Sequence, residues 1–151
     1  MWNLNPDERL REWNAFRKKI GQLPIEEACN LTTHLWSYAP YVTYYIDPDR
    51  TNSTSPWPDP WTLLYENYYC DVAKCLGMLY TLYLSDHRPT DIELQLGINV
   101  ETREPCNLVS LAKGKYILNF EFNTVVNITQ LPEGLDLLYR YTPQELGLDL
   151  Y

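Results

Sequence analysis

Residues 57–84 constrain the fold more than any other part of the chain. The segment begins with Trp57-Pro58-Asp59-Pro60-Trp61, in which two prolines restrict the backbone just before a helix-like stretch. A glycine then separates this stretch from an apolar run that has the composition of a strand. We therefore expect a third helix over residues 61–76 and a strand over residues 78–84.

The flanking regions differ in their periodicity, and this difference predicts the fold class. Asn5-Pro6-Asp7-Glu8 is typical of a helix start, and a second apolar stripe begins after Pro24. After the central segment the pattern changes to strands, predicted over residues 92–98, 107–111 and 115–126. The turn Ala112-Lys113-Gly114-Lys115 joins the last two as a hairpin. The pattern predicts an α+β fold, with N-terminal helices packed on a C-terminal antiparallel sheet in a single domain over residues 1–151.

Helix periodicity and strand alternation each mark residues that face the interior, and together these residues predict one hydrophobic core. Helix spacing selects some members of this set and strand alternation selects the others. The predicted core residues are Trp13, Phe16, Leu31, Leu35, Leu63, Leu64, Ala73, Leu76, Leu94, Leu108, Val109, Ile117 and Leu118.

Charge and cysteine usage exclude several classes of function. A net charge of −8 argues against nucleic-acid binding, which normally needs a clustered basic face. No apolar run is long enough for a signal peptide or a membrane span, so we expect no membrane association. Cys70 and Cys75 are five residues apart and would not face one point on a helix. No Cys-x-x-Cys pair is present, and the sequence predicts neither a metal nor any other cofactor.

Tyrosine is over-represented, with 13 residues, which favours a protein–protein contact surface. A β-prone run at residues 41–46 and the proline-rich loop at residues 51–61 are the predicted contact regions. Prolines pre-order the loop and so lower the entropic cost of binding. The predicted interface residues are Tyr41, Tyr44, Tyr45, Trp57 and Trp61, and copies of this chain are among the predicted partners. Alternatively, the two tryptophans cover the core above the third helix.

The stretch around Cys70 resembles the transglutaminase-like core. The match consists of Leu63-Leu64 before Cys70, Leu76-Gly77-Met78 after it, and the two paired strands that follow. The resemblance implies that a cysteine begins a helix packed on a sheet, with a histidine on one strand and an aspartate on the next. It implies a cysteine-dependent hydrolase or transglutaminase-like enzyme that uses Cys70 on peptide or amide bonds. In this sequence Asn107 stands at the histidine position and Asn119 at the aspartate position.

These two replacements argue against catalysis by the thiol. A carboxamide cannot accept a proton as a general base, so Cys70 would lack its activator. His87, in the Ser85-Asp86-His87-Arg88 turn, could serve only by folding back towards Cys70. We therefore predict no catalytic residues and no enzyme activity. The alternative is an enzyme that uses Cys70 with His87, Asn107 and Asn119.

A second resemblance extends over most of the first 86 residues. Its motifs are Leu23-Pro24-Ile25-Glu26-Glu27-Ala28, the Trp57–Trp61 run, and Tyr69-Cys70-Asp71 with the apolar run that follows. Together they resemble small proteins of tailed bacteriophages. The resemblance implies a virion or assembly component of the tail, baseplate or neck, made in the host cytoplasm, with other virion proteins or copies of this chain as its partners. A small binding module directed at the host is a further alternative.

Overall fold

The computed structural model describes residues 1–43 and 57–151, which form four helices and one five-stranded antiparallel sheet. The helices are α1 (Pro6–Gly21), α2 (Ile25–Ser37), α3 (Pro60–Glu66) and α4 (Asp71–Tyr83). The strands are β1 (Glu93–Asn99), β2 (Glu104–Leu111), β3 (Tyr116–Glu121), β4 (Thr124–Val126) and β5 (Leu135–Tyr141). The predicted α+β class is confirmed. In the two described ranges no helix has the length and apolar character needed to cross a membrane.

Local sequence signals set two of the helix starts. The side chain of Asn5 accepts a hydrogen bond from the Glu8 backbone N–H at 2.9 Å, and Pro6 follows as the first residue of α1. Asp59 does the same for α3, accepting from the Thr62 backbone N–H at 2.8 Å. In both cases a short polar side chain satisfies an N–H that the helix itself leaves unpaired.

The expected single helix over residues 61–76 is wrong, and so is the strand over residues 78–84. Helix α3 ends at Asn67, whose left-handed backbone (φ 59°) turns the chain, and α4 then begins at Asp71. Helix α4 is buried without a break from Cys75 to Tyr83, so its buried residues follow one another directly along the sequence. A continuous apolar run of this kind fits a buried strand and a buried helix equally well.

The sheet has the strand order β4-β3-β2-β1-β5. The predicted hairpin between β2 and β3 is confirmed, with Val109 opposite Leu118. The expected single strand over residues 115–126 is divided into β3 and β4 by a turn, and β5 was not predicted at all. Of the expected strand at residues 41–46, Tyr41 forms an isolated bridge with Tyr69, and residues 44–56 lie outside the described part.

The main core lies between the helices and one face of the sheet, and α4 passes through its middle. The expectation of one core is wrong for Leu108 and Ile117, which pack with Val126 in a separate cluster. Successive residues of a strand face opposite sides, so these two point away from their neighbours Val109 and Leu118. Three other predicted core residues pack at the core margin, only partly buried: Phe16, Leu31 and Leu35.

Candidate functional site

A cleft of about 350 Å³ lies where the N-terminal end of α4 meets strands β2 and β3. Helix α4 contributes its first residue, and each of the two strands contributes a polar residue from its middle. An exposed tyrosine from the segment after α2 completes the wall. The lining residues are Tyr41, Asp71, Pro105, Cys106, Asn107, Asn119 and Phe120.

Three polar side chains in this cleft form one hydrogen-bonded group. Asn107 Nδ2 donates to Asp71 Oδ2 at 2.8 Å, and Asn119 Nδ2 donates to Asp71 Oδ1 at 3.1 Å. The Asn119 amide also lies 3.0 Å from the Asn107 backbone oxygen and 3.1 Å from Cys75 Sγ. Asp71 is exposed, so two carboxamides fix the orientation of a carboxylate that solvent can reach.

The backbone of Asn119 has an unusual conformation that accounts for this placement. Its φ is 71°, in the left-handed region that asparagine tolerates better than most residues. The register between β3 and β4 also shifts between Ile117 and Glu121. Irregularities of this kind redirect side chains and are frequent beside active sites. In this protein the Asn119 side chain reaches both Asp71 and Cys75 on α4.

Three cysteines lie around the group, and burial suppresses ionisation in two of them. Cys75 is fully buried, and burial, with a smaller effect of the Asp71 charge, raises its pKa well above the ordinary value. Burial and then Asp71 also raise the pKa of Cys106, which lines the cleft. Cys70 precedes α4 as its N-cap residue and is 4% exposed. The environment therefore disfavours the thiolate of Cys75 and of Cys106.

The two histidines of the chain both lie outside the cleft. His87 Nε2 is 3.0 Å from the Ile20 backbone oxygen, just beyond the C-terminal end of α4. A helix of 13 residues is about 20 Å long, so His87 and Cys70 are at opposite ends of it. His34 Nδ1 is 3.1 Å from Asn123 Oδ1. The structure therefore brings Asn107 and Asn119 together beside the start of α4 but does not bring His87 to them.

The first turn of α4, which begins at the cleft with Asp71, has no side-chain cap. Cys70 makes no side-chain capping bond there, and no other described side chain accepts from the N–H groups of residues 71–73. Free N–H groups at a helix start favour negative charge, and such groups can stabilise an oxyanion.

The described members of the predicted interface set differ in exposure. Tyr41 is 64% exposed and lines the cleft. Trp61 is partly exposed and packs edge-to-face on Tyr151 at 4.8 Å. Trp57 is buried and packs against Tyr141, with ring centroids 5.0 Å apart. Tyr44 and Tyr45 lie outside the described residues.

Sequence reasoning missed Asp71, although a signal was available. Asp71 directly follows Cys70 at the helix start, which is where the transglutaminase-like resemblance puts the reacting group. In the described ranges no group of three or more His, Cys, Asp or Glu residues could hold a metal ion.

Comparison with solved structures places the fold among known proteins. The chain is similar to Legionella pneumophila LapG, with a TM-score of 0.72 and 14% identity over 91% of this chain and 75% of LapG. The calcium-bound LapG structure gives a TM-score of 0.69 with 12% identity over 93% of this chain and 77% of LapG. An EGTA-treated LapG structure gives a TM-score of 0.72 with 14% identity over 91% of this chain and 74% of LapG. No family model and no curated protein matches the sequence.

These similarities confirm the transglutaminase-like core and correct the functional prediction. The similarity is to LapG, a transglutaminase-like cysteine protease, and it contradicts the predicted phage structural role. The predicted virion role, with its tail and baseplate assignments, is therefore wrong, and so is the prediction of no enzyme activity. The resemblance to bacteriophage proteins failed because the spacing of aromatic residues and prolines reflects turns and packing rather than the chemistry of a site. The location and the partners of the protein stay predictions.

Proposed function

We propose that the protein is a hydrolase of peptide or amide bonds and that the cleft at the start of α4 is its active site. The observation that carries the proposal is the exposed Asp71 carboxylate, held by Asn107 and Asn119 within a cleft of about 350 Å³. The similarity of the fold to LapG over more than nine-tenths of the chain supports the reaction class.

In this proposal Asp71 is the general base. Its carboxylate takes a proton from a water molecule while the water oxygen bonds to the substrate carbonyl carbon. The carbon–nitrogen bond then breaks, and the departing amine receives the proton. Asn107 and Asn119 do not react; their N–H groups keep the carboxylate oriented in the cleft.

The start of α4 contributes to the same step. Negative charge develops on the substrate carbonyl oxygen as water attacks. The backbone N–H groups of the first turn of α4 carry no side-chain cap among the described residues, so they are available as donors to this oxygen. One helix end thus supplies both the base and the oxyanion donors.

A cysteine-dependent hydrolase that uses Cys70 is the second candidate. Its support is the position of Cys70 at the N-cap of α4, where the transglutaminase-like resemblance puts the nucleophile, together with the similarity to LapG, a cysteine protease. Both histidines lie elsewhere, so the thiol would have to react without an imidazole.

A comparison of variants distinguishes the two candidates. An unfolded polypeptide is incubated with the protein in ¹⁸O-labelled water, and new carboxyl termini that carry ¹⁸O are counted by mass spectrometry. We expect Asp71→Asn to lower the rate by about 100-fold or more, because general-base catalysis contributes at least this factor. Cys70→Ala should leave most of the rate. Asp7→Asn, which alters an exposed acid in the first turn of α1, is the matched control.

The opposite pattern would establish the cysteine candidate. Rapid alkylation of Cys70 by iodoacetamide at pH 6, together with loss of hydrolysis in Cys70→Ala, would overturn the role of Asp71 as the base. If the unaltered protein releases no ¹⁸O-labelled termini from any polypeptide, the hydrolase proposal itself is wrong.

A further inference from the structure

Three exposed aromatic side chains form a surface beside the cleft, which we call the aromatic rim: Tyr38, Tyr41 and Phe122. Their exposed fractions are 57%, 64% and 66%. Tyr38 and Phe122 pack edge-to-face with ring centroids 5.2 Å apart. Large apolar groups exposed together at one place are typical of binding sites.

Hydrogen bonds hold the rim in place from both sides. The Asn123 backbone N–H donates to Ser37 Oγ at 3.0 Å, which joins the β3–β4 turn to the end of α2. Lys74 Nζ donates to the Ser37 backbone oxygen at 3.1 Å. His34 adds a contact to Asn123 Oδ1 at 3.1 Å. Because these bonds fix the rim, its binding to a partner would cost little conformational entropy.

The rim continues directly into the cleft. Tyr41 belongs to both, and Phe122 lies two residues beyond Phe120, which lines the cleft. A polypeptide whose scissile bond lies beside Asp71 would therefore pass over the rim within a few residues.

The negative charge around the cleft favours a positively charged polypeptide. The chain has a net charge of −8. Asp71, Glu104 and Glu121 lie on the elements that border the cleft, and none of them forms an ion pair within residues 1–43 and 57–151. A cation also lies nearby: Lys74, which is hydrogen-bonded to Ser37 and lies over the Tyr41 ring at 5.8 Å.

We propose that the rim and the cleft bind a basic segment of the polypeptide substrate, with an arginine side chain on the rings of Tyr38 and Phe122. This inference rests on the proposed hydrolase function. Aromatic faces attract cations, and the planar guanidinium of arginine stacks on them better than the ammonium of lysine. The carboxylates of Asp71, Glu104 and Glu121, which form no ion pair within the described residues, attract the same segment towards the cleft.

Direct binding tests the proposal without requiring turnover. A fluorescein-labelled glycine–arginine heptapeptide is titrated with the protein by fluorescence anisotropy, alongside peptides in which citrulline or glutamate replaces each arginine. We expect binding of the arginine peptide to weaken by about fivefold in Phe122→Ala, which is the fold-change that one exposed cation–π contact supplies. Tyr65→Ala removes a tyrosine of similar exposure on α3, away from the rim, and should leave binding unchanged.

The outcomes separate this inference from the proposed function. Equal affinity for the arginine, citrulline and glutamate peptides would overturn the inference, as would equal losses in Phe122→Ala and Tyr65→Ala. Tight arginine binding by a protein that releases no ¹⁸O-labelled termini would keep the binding surface and reject the hydrolase. Hydrolysis with no preference for basic peptides would keep the hydrolase and reject the arginine site.

Discussion

Each end of α4 holds a hydrogen-bonded group of three side chains, but only the group at the N-terminal end is open to solvent. Towards the C-terminal end, Thr81 Oγ1 accepts from the indole N–H groups of Trp13 and Trp36, both at 2.9 Å, and donates to the Gly77 backbone oxygen at 2.6 Å. At the N-terminal end, Asp71 accepts from two carboxamides. The first group is fully buried, whereas the second opens to solvent.

The difference shows how one helix can serve stability and function separately. The Thr81 hydroxyl uses both lone pairs and its hydrogen, so its group has no capacity for a ligand. Asp71 keeps free lone pairs, and the side-chain oxygens of Asn107 and Asn119 accept no bond from the described residues. A saturated buried group stabilises the fold, while an unsaturated exposed group is available for chemistry.

Replacing Thr81 should have the largest effect on stability. Thr81→Val preserves the shape but leaves two buried indole N–H groups unpaired, each at a cost of about 1–3 kcal/mol. We expect the free energy of unfolding in urea to fall by about 3–5 kcal/mol. Thr81→Ser keeps the hydroxyl and is the control. An equal loss in both variants would show that the hydrogen bonds do not matter.

A methyl group at Gly77 should have the next largest effect. A Cβ atom there would lie 2.4 Å from the Trp36 ring, well inside contact distance. We expect Gly77→Ala to destabilise the protein by about 1–3 kcal/mol through overpacking. A double-mutant cycle with Trp36→Phe measures the coupling between the two positions. If the changes in unfolding free energy of the two single variants simply add, Trp36 moves aside freely. The contrast between a tightly packed C-terminal end of α4 and an open N-terminal end would then weaken.

The smallest effect on stability is expected at the cleft. Asn107→Ala removes one exposed hydrogen bond to Asp71, and we expect a change in unfolding free energy of under about 1 kcal/mol. Its rate of ¹⁸O incorporation should nevertheless fall, because Asp71 loses an orienting donor. A loss of stability as large as that in Thr81→Val would show that the cleft group is structural.

Sequence reasoning identified the strand positions of the site but not its centre. The transglutaminase-like resemblance put Asn107 and Asn119 on neighbouring strands beside the start of a helix, and the hairpin between those strands is confirmed. Asp71 was missed because the predicted helix over residues 61–76 put it inside a helix rather than at the start of one. Its role depends on contacts with residues 36 and 48 positions away in sequence, which no local pattern encodes.

The errors in the fold have a common cause. Helix α4 was divided between a helix and a strand because its residues from Cys75 to Tyr83 form one continuous buried run, which fits a strand as well as a helix. Strand β5 was missed because most of its residues are exposed, so no alternation marks it. Where one face was buried and capping residues stood at the start, as in α1, the sequence was sufficient.

The buried guanidinium of Arg9 has a consequence for the order of folding. It donates to the backbone oxygens of Leu64 and Tyr65 at the end of α3 and to that of Leu4. A seven-residue helix is too short to persist alone, because nucleation costs more than so few bonds return. We therefore expect α3 to become stable only once it packs against α1. That contact closes a loop of 55 residues, and α4, with the cleft, follows directly after α3 in the chain.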